Sequence, residues 1–196
     1  MTNTVTVLGS LNVDTTATIK KIPLPGETIA SENKSSAAGG KGANQAIAAV
    51  RAGAEVNFIG KVGQDDEGKF MVDCLQEDHV DTSNISETDS VGTGSAIILL
   101  DEKGQNSIIV YGGANQRVDS KDIEVAHDKI KESDFIIAQF EPPQAAALDA
   151  FKFAKANGVV TILNPAPAHE ILPELLQYTD VIVPNETESA TLTGIE

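Results

Sequence analysis

Gly39-Gly40-Lys41-Gly42-Ala43-Asn44-Gln45-Ala46 is a glycine-rich turn that runs directly into a helix. We predict the helix because apolar residues continue at helical spacing to Ala54. Short β-branched runs flank this unit, at residues 4–8 before the turn and at residues 56–59 after the helix. A helix that joins two short apolar strands is the crossover unit of a parallel sheet.

The same alternation of helix and strand continues along the chain. Further strands are predicted at residues 135–140, 159–163 and 181–183. Further helix starts are predicted at Asp65, Asp119, Pro142-Pro143 and Thr187. The helix after Asp119 should present Ile123, Ala126 and Ile130 on one face. Because the strands are apolar without alternation, both of their faces should be buried, and we predict an α/β domain over residues 1–196 with a mostly parallel sheet flanked by helices.

Two segments do not fit this layer. Residues 96–100 and 107–111 are β-rich runs on either side of polar turn residues, which predicts a hairpin. The stretch from residue 13 to residue 36 is polar and extended in character. We predict that segments at about 13–36 and 92–112 together form a small β-sheet that projects as a lid.

The overall charge and the cysteine content narrow the class of protein. A net charge of −15 argues against a broad basic face for nucleic acid or for an anionic membrane. The single cysteine, Cys74, allows no disulfide within the chain and suits a reducing compartment. We find no signal peptide and no apolar run long enough to span a membrane, so we expect a cytoplasmic protein.

Polar side chains stand just after the predicted strands. Their positions are Asn12, Asp14, Glu141, Asn164 and Asn185, with Glu188 one helical turn beyond the last. In an open α/β sheet ligands bind outside the carboxyl ends of the strands, so these side chains should converge on one crevice. Any one of them is more often simple turn chemistry, but their recurrence at four strand ends favours a site for a polyol or a nucleotide.

The glycine-rich turn is a second candidate site. Three glycines allow the backbone to approach a ligand at a helix start, Lys41 adds a positive charge, and Asn44 lies in the first turn. The turn matches neither the Walker A spacing nor the G-x-G-x-x-G fingerprint of dinucleotide-binding domains. A flexible turn before a helix is the plain alternative for an isolated pair of glycines.

Five blocks taken together resemble the ribokinase branch of the PfkB carbohydrate kinase family. They lie in order along the whole chain, at residues 9–14, 25–28, 39–46, 163–168 and 184–188. The resemblance implies a ribokinase-like fold and phosphorylation of D-ribose by ATP to D-ribose 5-phosphate. It also implies Mg²⁺, a monovalent cation (K⁺) bound outside this chain, and a homodimer formed through the β lid.

The resemblance also implies a role for each matching residue. Asn12 and Asp14 would bind the sugar hydroxyls, and Glu141 would contact the sugar from its strand end. The turn residues Gly40, Lys41, Gly42 and Asn44 would hold the sugar from the other side. Asn185 would lie near the ATP phosphates, and Glu188 would organise Mg²⁺ through water.

The family's catalytic base, an aspartate in a G-A-G-D motif, has no counterpart in this sequence. We therefore expect no catalytic residue in this chain, with the base beyond Glu196. On that expectation the chain is an incomplete ribokinase-like domain that is inactive alone and either poorly soluble or self-associating.

Three other functions are alternatives to a ribose kinase. A PfkB kinase for another sugar or for a nucleoside would share the same blocks, although a nucleoside pocket usually needs stacking aromatics. A non-catalytic sugar-binding module would keep the pocket without the base. A Rossmann-type oxidoreductase is disfavoured because the G-x-G-x-x-G fingerprint is missing.

Overall fold

The computed structural model describes residues 2–195, so Met1 and Glu196, the two ends of the predicted domain, lie outside the described residues. The main sheet consists of β1 (Thr4–Leu8), β4 (Glu55–Gly63), β5 (Asp81–Thr88), β8 (Phe135–Ala138), β9 (Val160–Leu163) and β10 (Val181–Ile182). Their order across the sheet is β10-β9-β8-β1-β4-β5, and every neighbouring pair is parallel. The predicted α/β class and parallel sheet are confirmed.

Helices cover both faces of this sheet. They are α1 (Lys41–Arg51), α2 (Asp66–Glu77), α3 (Ser120–Val125), α4 (His127–Lys131), α5 (Gln144–Ala156), α6 (Pro173–Gln177) and α7 (Glu186–Thr193), and a 3₁₀ turn spans Gly113–Arg117. One core lies under α1 and α2 around Phe58, and the other lies under α3 to α6 around Phe151. In β1, Val7 belongs to the first core and Leu8 to the second, as expected of a strand buried on both faces. No helix within residues 2–195 combines the length and the apolar character needed to cross a membrane.

The second sheet is small and mixed. It consists of β2 (Asn12–Thr18), β3 (Asn33–Gly39), β6 (Gly94–Leu100) and β7 (Asn106–Tyr111), in the order β3-β2-β6-β7. β2 pairs antiparallel with β3 and parallel with β6, and β6 and β7 form the predicted antiparallel hairpin. Because β1 leads into β2, and β3 leads into α1, this sheet stands at the carboxyl edge of β1.

Several predicted boundaries are wrong. The helix after Asp119 is broken, since α3 ends at Val125 and α4 begins at His127, although Ile123, Ala126 and Ile130 are all buried as predicted. Pro143 is the N-cap of α5, so the proline pair precedes that helix. The strand predicted at 135–140 ends at Ala138.

The edge strand β5 was not predicted at all. Its sequence Asp-Thr-Ser-Asn-Ile-Ser-Glu-Thr carries a single apolar residue, Ile85. An edge strand buries only part of its surface, so packing does not demand the apolar run that marks a central strand.

Candidate functional site

The glycine-rich turn lies against the end of β1. A side chain on Gly42 would place its Cβ 2.5 Å from both Gly9 Cα and Ser10 N, so only glycine allows this approach. Gly40 has a φ of 96°, in the left-handed region that glycine tolerates. The N–H of Ala43 donates to the Ser10 carbonyl at 3.1 Å, which joins the first turn of α1 to β1.

Glu141 holds the start of α1. Its Oε2 accepts hydrogen bonds from the Lys41 N–H at 2.9 Å and from the Ser10 hydroxyl. Its Oε1 lies 3.9 Å from Lys41 Nζ. A carboxylate is favoured here because a helix start presents free N–H groups and a partial positive charge.

Asn12 and Asp14 lie two residues apart on β2 and therefore share one face of the small sheet. The Oδ1 of Asn12 accepts a hydrogen bond from Asn115 Nδ2 at 2.8 Å. The Asp14 carboxylate lies over Gly39, where a Cβ would come within 2.2 Å of its Oδ2. Burial raises the pKa of Asp14, the charge of Glu141 raises it further, and the charge of Lys41 lowers it.

Three of the predicted sugar-binding residues line a cavity of about 370 Å³, which we call the first cavity. It lies between the small sheet and the carboxyl edge of the main sheet, and its lining is Asn12, Lys41, Val110, Gly112, Asn115, Gln116, Phe140, Glu141, Pro167 and His169. Asp14 is not in this lining but is close enough to Glu141 and Lys41 for their charges to shift its pKa.

A second cavity, of about 460 Å³, adjoins the first through Lys41, which lines both. Its lining is Lys41, Asn44, Gln45, Asn164, Ala166, Val183, Pro184, Asn185 and Glu188. The structure thus brings Asn185 and Glu188 together with Asn44, which we had predicted on the sugar side. Gly40 and Gly42 shape the turn that carries Lys41 between the two cavities.

Asn185 and Glu188 form a reciprocal capping box at the start of α7. Asn185 Oδ1 accepts from the Glu188 N–H at 2.8 Å, and Glu188 Oε2 accepts from the Asn185 N–H at 2.8 Å. Only 6% of Glu188 is exposed. Within residues 2–195 no group of three or more His, Cys, Asp or Glu side chains is arranged to hold a metal ion directly.

A chain of amides, which we call the amide relay, connects Gln139 to the carbonyl of Val183. Gln139 Nε2 donates to Gln45 Oε1 at 2.6 Å, Gln45 Nε2 donates to Asn164 Oδ1 at 3.1 Å, and Asn164 Nδ2 donates to Val183 O at 2.9 Å. The direction is fixed because a carbonyl can only accept, so Asn164 must offer its nitrogen and each amide behind it must follow. The buried Gln139 Oε1 is consequently left without a partner.

Sequence reasoning missed Ser10, Asn115 and Gln45 as parts of the site. Ser10 and Gln45 lie inside blocks that we had singled out, but nothing local indicates that their side chains contact Glu141 and Asn164. Asn115 lies 104 residues from its partner Leu11 and just beyond the lid segment predicted at about 92–112, so no local pattern indicated its contact.

The sequence of this chain is similar to those of known carbohydrate kinases. The model of the pfkB family of carbohydrate kinases matches residues 2–196. The chain is 48% identical over 197 residues to ribokinase from Staphylococcus aureus, covering 100% of this chain and 65% of that protein. It is 50% identical over 191 residues to the bifunctional ribokinase/ribose-5-phosphate isomerase A from Fructilactobacillus sanfranciscensis, covering 97% of this chain and 35% of that protein.

Solved structures agree with the sequence matches. The structure of Arabidopsis thaliana ribokinase complexed with ribose and ATP has a TM-score of 0.89 at 33% identity, over 99% of this chain and 64% of that one. The ribokinase of Cryptococcus neoformans in complex with ADP has a TM-score of 0.83 at 29% identity, over 99% of this chain and 60% of that one. The chain therefore spans less than two thirds of the length of each of these relatives.

Proposed function

The chain belongs to the pfkB family of carbohydrate kinases, and on that premise we propose that the whole protein transfers a phosphoryl group from ATP to D-ribose, giving D-ribose 5-phosphate. The observation that carries the proposal is the pair of adjoining cavities joined at Lys41. One has amide and carboxylate groups suited to hydroxyls, and the other contains the Lys41 ammonium, which suits phosphate. The similarity to an Arabidopsis thaliana ribokinase that was solved with ribose and ATP supports it.

We assign the first cavity to ribose. Asn12 and Asp14 bind its hydroxyls, and Gly40, Lys41 and Gly42 hold the sugar from the side of the glycine-rich turn. Asn44, which lines the second cavity, reaches the sugar where the two cavities adjoin at Lys41. Glu141 contacts the sugar from the end of β8 while it keeps the start of α1 in place. Lys41 lies between sugar and nucleotide, where its charge favours the negative charge that develops during phosphoryl transfer.

We assign the second cavity to ATP, with Asn185 near the phosphates. Glu188 fits an indirect role toward Mg²⁺, because Oε2 is engaged by the Asn185 N–H while Oε1 has no hydrogen-bond partner within residues 2–195. Bound Mg²⁺ neutralises charge on the transferring phosphate. None of the residues from 2 to 195 is assigned as the catalytic base or as a ligand of K⁺, and the inactivity of this chain on its own stays a prediction.

We propose that the small sheet acts as the lid of the first cavity and as the contact between two copies of the protein. Val110 of β7 already lines that cavity. Because side chains alternate along a strand, Ile109 points to the opposite face, where it is 62% exposed and lies across from the exposed Ile97. Changing Ile109 to Lys should convert a dimer into a monomer in analytical ultracentrifugation, and an unchanged sedimentation coefficient would count against this contact.

A cytoplasmic location is part of the same proposal. ATP is the proposed phosphoryl donor, and Cys74 has no partner within the chain for a disulfide. Both features suit a reducing compartment supplied with nucleotide.

Calorimetry on the intact protein tests the function, with ribose, fructose and adenosine as ligands and ADP release as the measure of turnover. Ribose should bind selectively and should stimulate ADP release. The Asp14→Ala variant should lose ribose binding, whereas Asp89→Ala, at an exposed loop position, should keep it. Preference for fructose or adenosine would identify a kinase for another substrate, and ribose binding without ADP release would identify a binding module.

A further inference from the structure

Asn115 is buried beside β2, with 1% of its surface exposed, and its side chain makes three hydrogen bonds. Its Oδ1 accepts from the Leu11 N–H at 2.9 Å, and its Nδ2 donates to the Leu11 carbonyl at 3.2 Å and to Asn12 Oδ1 at 2.8 Å. The side-chain amide thereby pairs with both backbone groups of Leu11. This pairing fixes which atom of each amide faces which way.

The orientation follows from the chemistry of the partners. A backbone N–H can only donate, so the oxygen of Asn115 must face Leu11 N and its nitrogen must face Leu11 O and Asn12. Asn12 must then turn its oxygen toward Asn115. The Nδ2 of Asn12 is left on the other side, where it makes no hydrogen bond within residues 2–195, and Asn12 lines the first cavity.

The surroundings hold this arrangement. A Cβ on Gly94, the first residue of β6, would lie 2.2 Å from Asn115 Nδ2 and 2.3 Å from Asn12 Oδ1. Any side chain at this position would therefore displace the two hydrogen-bonded amides. The 3₁₀ turn that carries Asn115 is fixed at its end, where Lys61 Nζ donates to the Arg117 carbonyl at 3.0 Å. Lys61 in turn pairs with Asp122 at 2.9 Å, and both side chains are largely buried.

We propose that Asn115 is a positioning residue that sets the polarity of Asn12, so that Asn12 offers hydrogen-bond donors to a sugar hydroxyl beside the acceptor Asp14. The inference rests on the proposed function, because it concerns how the first cavity recognises ribose. A hydroxyl has one proton to donate and two lone pairs. A donor next to an acceptor on one face of β2 therefore lets one hydroxyl accept while its neighbour donates, whereas two acceptors side by side would require both hydroxyls to donate.

The test reverses the polarity without changing the shape. In Asn115→Asp, the carboxylate still accepts from the Leu11 N–H, but its second oxygen faces the Leu11 carbonyl and Asn12 Oδ1. The contact with Oδ1 favours rotation of the Asn12 amide. In Asn12→Asp, Asn115 keeps all three hydrogen bonds and the cavity loses its donor. Asn3→Asp, at an exposed position outside the small sheet and both cavities, is the matched control for the change of amide to carboxylate.

Ribose, 2-deoxyribose and 3-deoxyribose are titrated into each variant of the intact protein by calorimetry, and ADP binding and thermal melting are followed alongside. Asn115→Asp and Asn12→Asp should each weaken ribose binding by about tenfold to a hundredfold, since a buried polar group loses its partner. Each should also lose the discrimination against at least one deoxyribose. The double variant should bind ribose no more weakly than the single variants, because both remove the same donor. ADP binding should not change.

The outcomes separate the inference from the proposed function. If the unmodified protein binds no ribose, the proposed function fails and the inference fails with it. If that protein binds ribose and Asn115→Asp binds it with the same affinity and selectivity, the inference alone is overturned. Losses that multiply in the double variant, or an equal loss of ADP binding, would show a general structural role instead. If Asn115→Asp does not fold, Asn12→Asp decides, and unchanged selectivity in that variant overturns the inference.

Discussion

Replacing Gly42 with alanine tests how closely α1 must approach the end of β1. The new Cβ would lie 2.5 Å from Gly9 Cα and Ser10 N and 2.7 Å from the Gly9 carbonyl carbon. All three are backbone atoms, so no flexible side chain can move aside. Either the start of α1 or the end of β1 must shift, and Glu141 binds to both.

The expected magnitude combines two opposing terms. Overpacking costs about 1–3 kcal/mol, and contacts this short with backbone place the cost near the upper end. Alanine is favoured over glycine inside a helix by about 1 kcal/mol. The variant should therefore unfold with about 2 kcal/mol less free energy than the parent protein. Ribose binding should weaken about tenfold, because the shift loosens the hydrogen bonds between Glu141 and the helix start.

Urea unfolding and ribose calorimetry on the intact protein measure both effects. Ala48→Gly is the matched control, because Ala48 is exposed in the same helix and its replacement isolates the helix-propensity term, at a cost of about 1 kcal/mol. Gly42→Ala should lose more stability than Ala48→Gly and should also lose ribose affinity, which Ala48→Gly keeps. A Gly42→Ala protein as stable as the parent, or more stable, would refute the close contact between α1 and β1.

Three further predictions concern single charges. If ribose binding needs ionised Asp14, it should be lost as pH falls through the pKa of Asp14, which is raised above 3.8. Lys41→Met should move that loss to higher pH, because the charge of Lys41 lowers the pKa of Asp14. Calorimetry across the acid range measures the pH at which ribose binding is half lost, and the same pH in both proteins would contradict the prediction. Burial raises the pKa of Asp65, but hydrogen bonds from Thr93 and Gly68 outweigh it and keep the pKa below 3.8. The stabilisation by ionised Asp65 is therefore complete above pH 3.8 and is lost as pH falls through the folded pKa. The difference in the free energy of unfolding between the parent protein and Asp65→Asn, measured in urea, should therefore shrink in acid. A difference that does not change with pH would count against this role of Asp65. Glu188→Gln keeps an acceptor for the Asn185 N–H but loses its charge, so half-maximal ADP release should need more Mg²⁺ while the melting temperature stays the same. Glu188→Ala should also need more Mg²⁺, and it should lower the melting temperature because the cap is lost; an unchanged Mg²⁺ requirement in both variants would count against the role of Glu188.

The central strands were predictable because burial on both faces leaves a direct mark on the sequence. β1 and β4 lie between two layers of helices, so most of their residues are buried and are apolar or β-branched, and the buried polar side chains of Thr6 and Asn57 are hydrogen-bonded to each other. The edge strand β5 is under no such demand and was missed. The break between α3 and α4 was also missed, because Ile123, Ala126 and Ile130 reach the same core whether or not the helix is continuous.

The candidate site was predictable where strand topology alone brings residues together. Asn12, Glu141 and Asn185 follow strands of one sheet edge, and the structure places each of them on one of two adjoining cavities. The contacts of Asn115 with Leu11, and of Gln45 with Asn164, join residues more than a hundred positions apart. Such contacts depend on side-chain orientation in the packed fold, which no local pattern of residues encodes.

The amide relay makes the separation of the two cavities a property of the protein before any ligand arrives. Gln45 belongs to α1, and Asn164 and Val183 belong to the segments that lead to Asn185. Rotating α1 by one residue would therefore break both hydrogen bonds of Gln45 and leave three amides short of a partner. Reacting atoms misplaced by about 1 Å can cost about a hundredfold in rate. The relay therefore fixes the distance between the cavity proposed for ribose and the cavity proposed for ATP. This arrangement leaves the buried Oε1 of Gln139 without a hydrogen-bond donor.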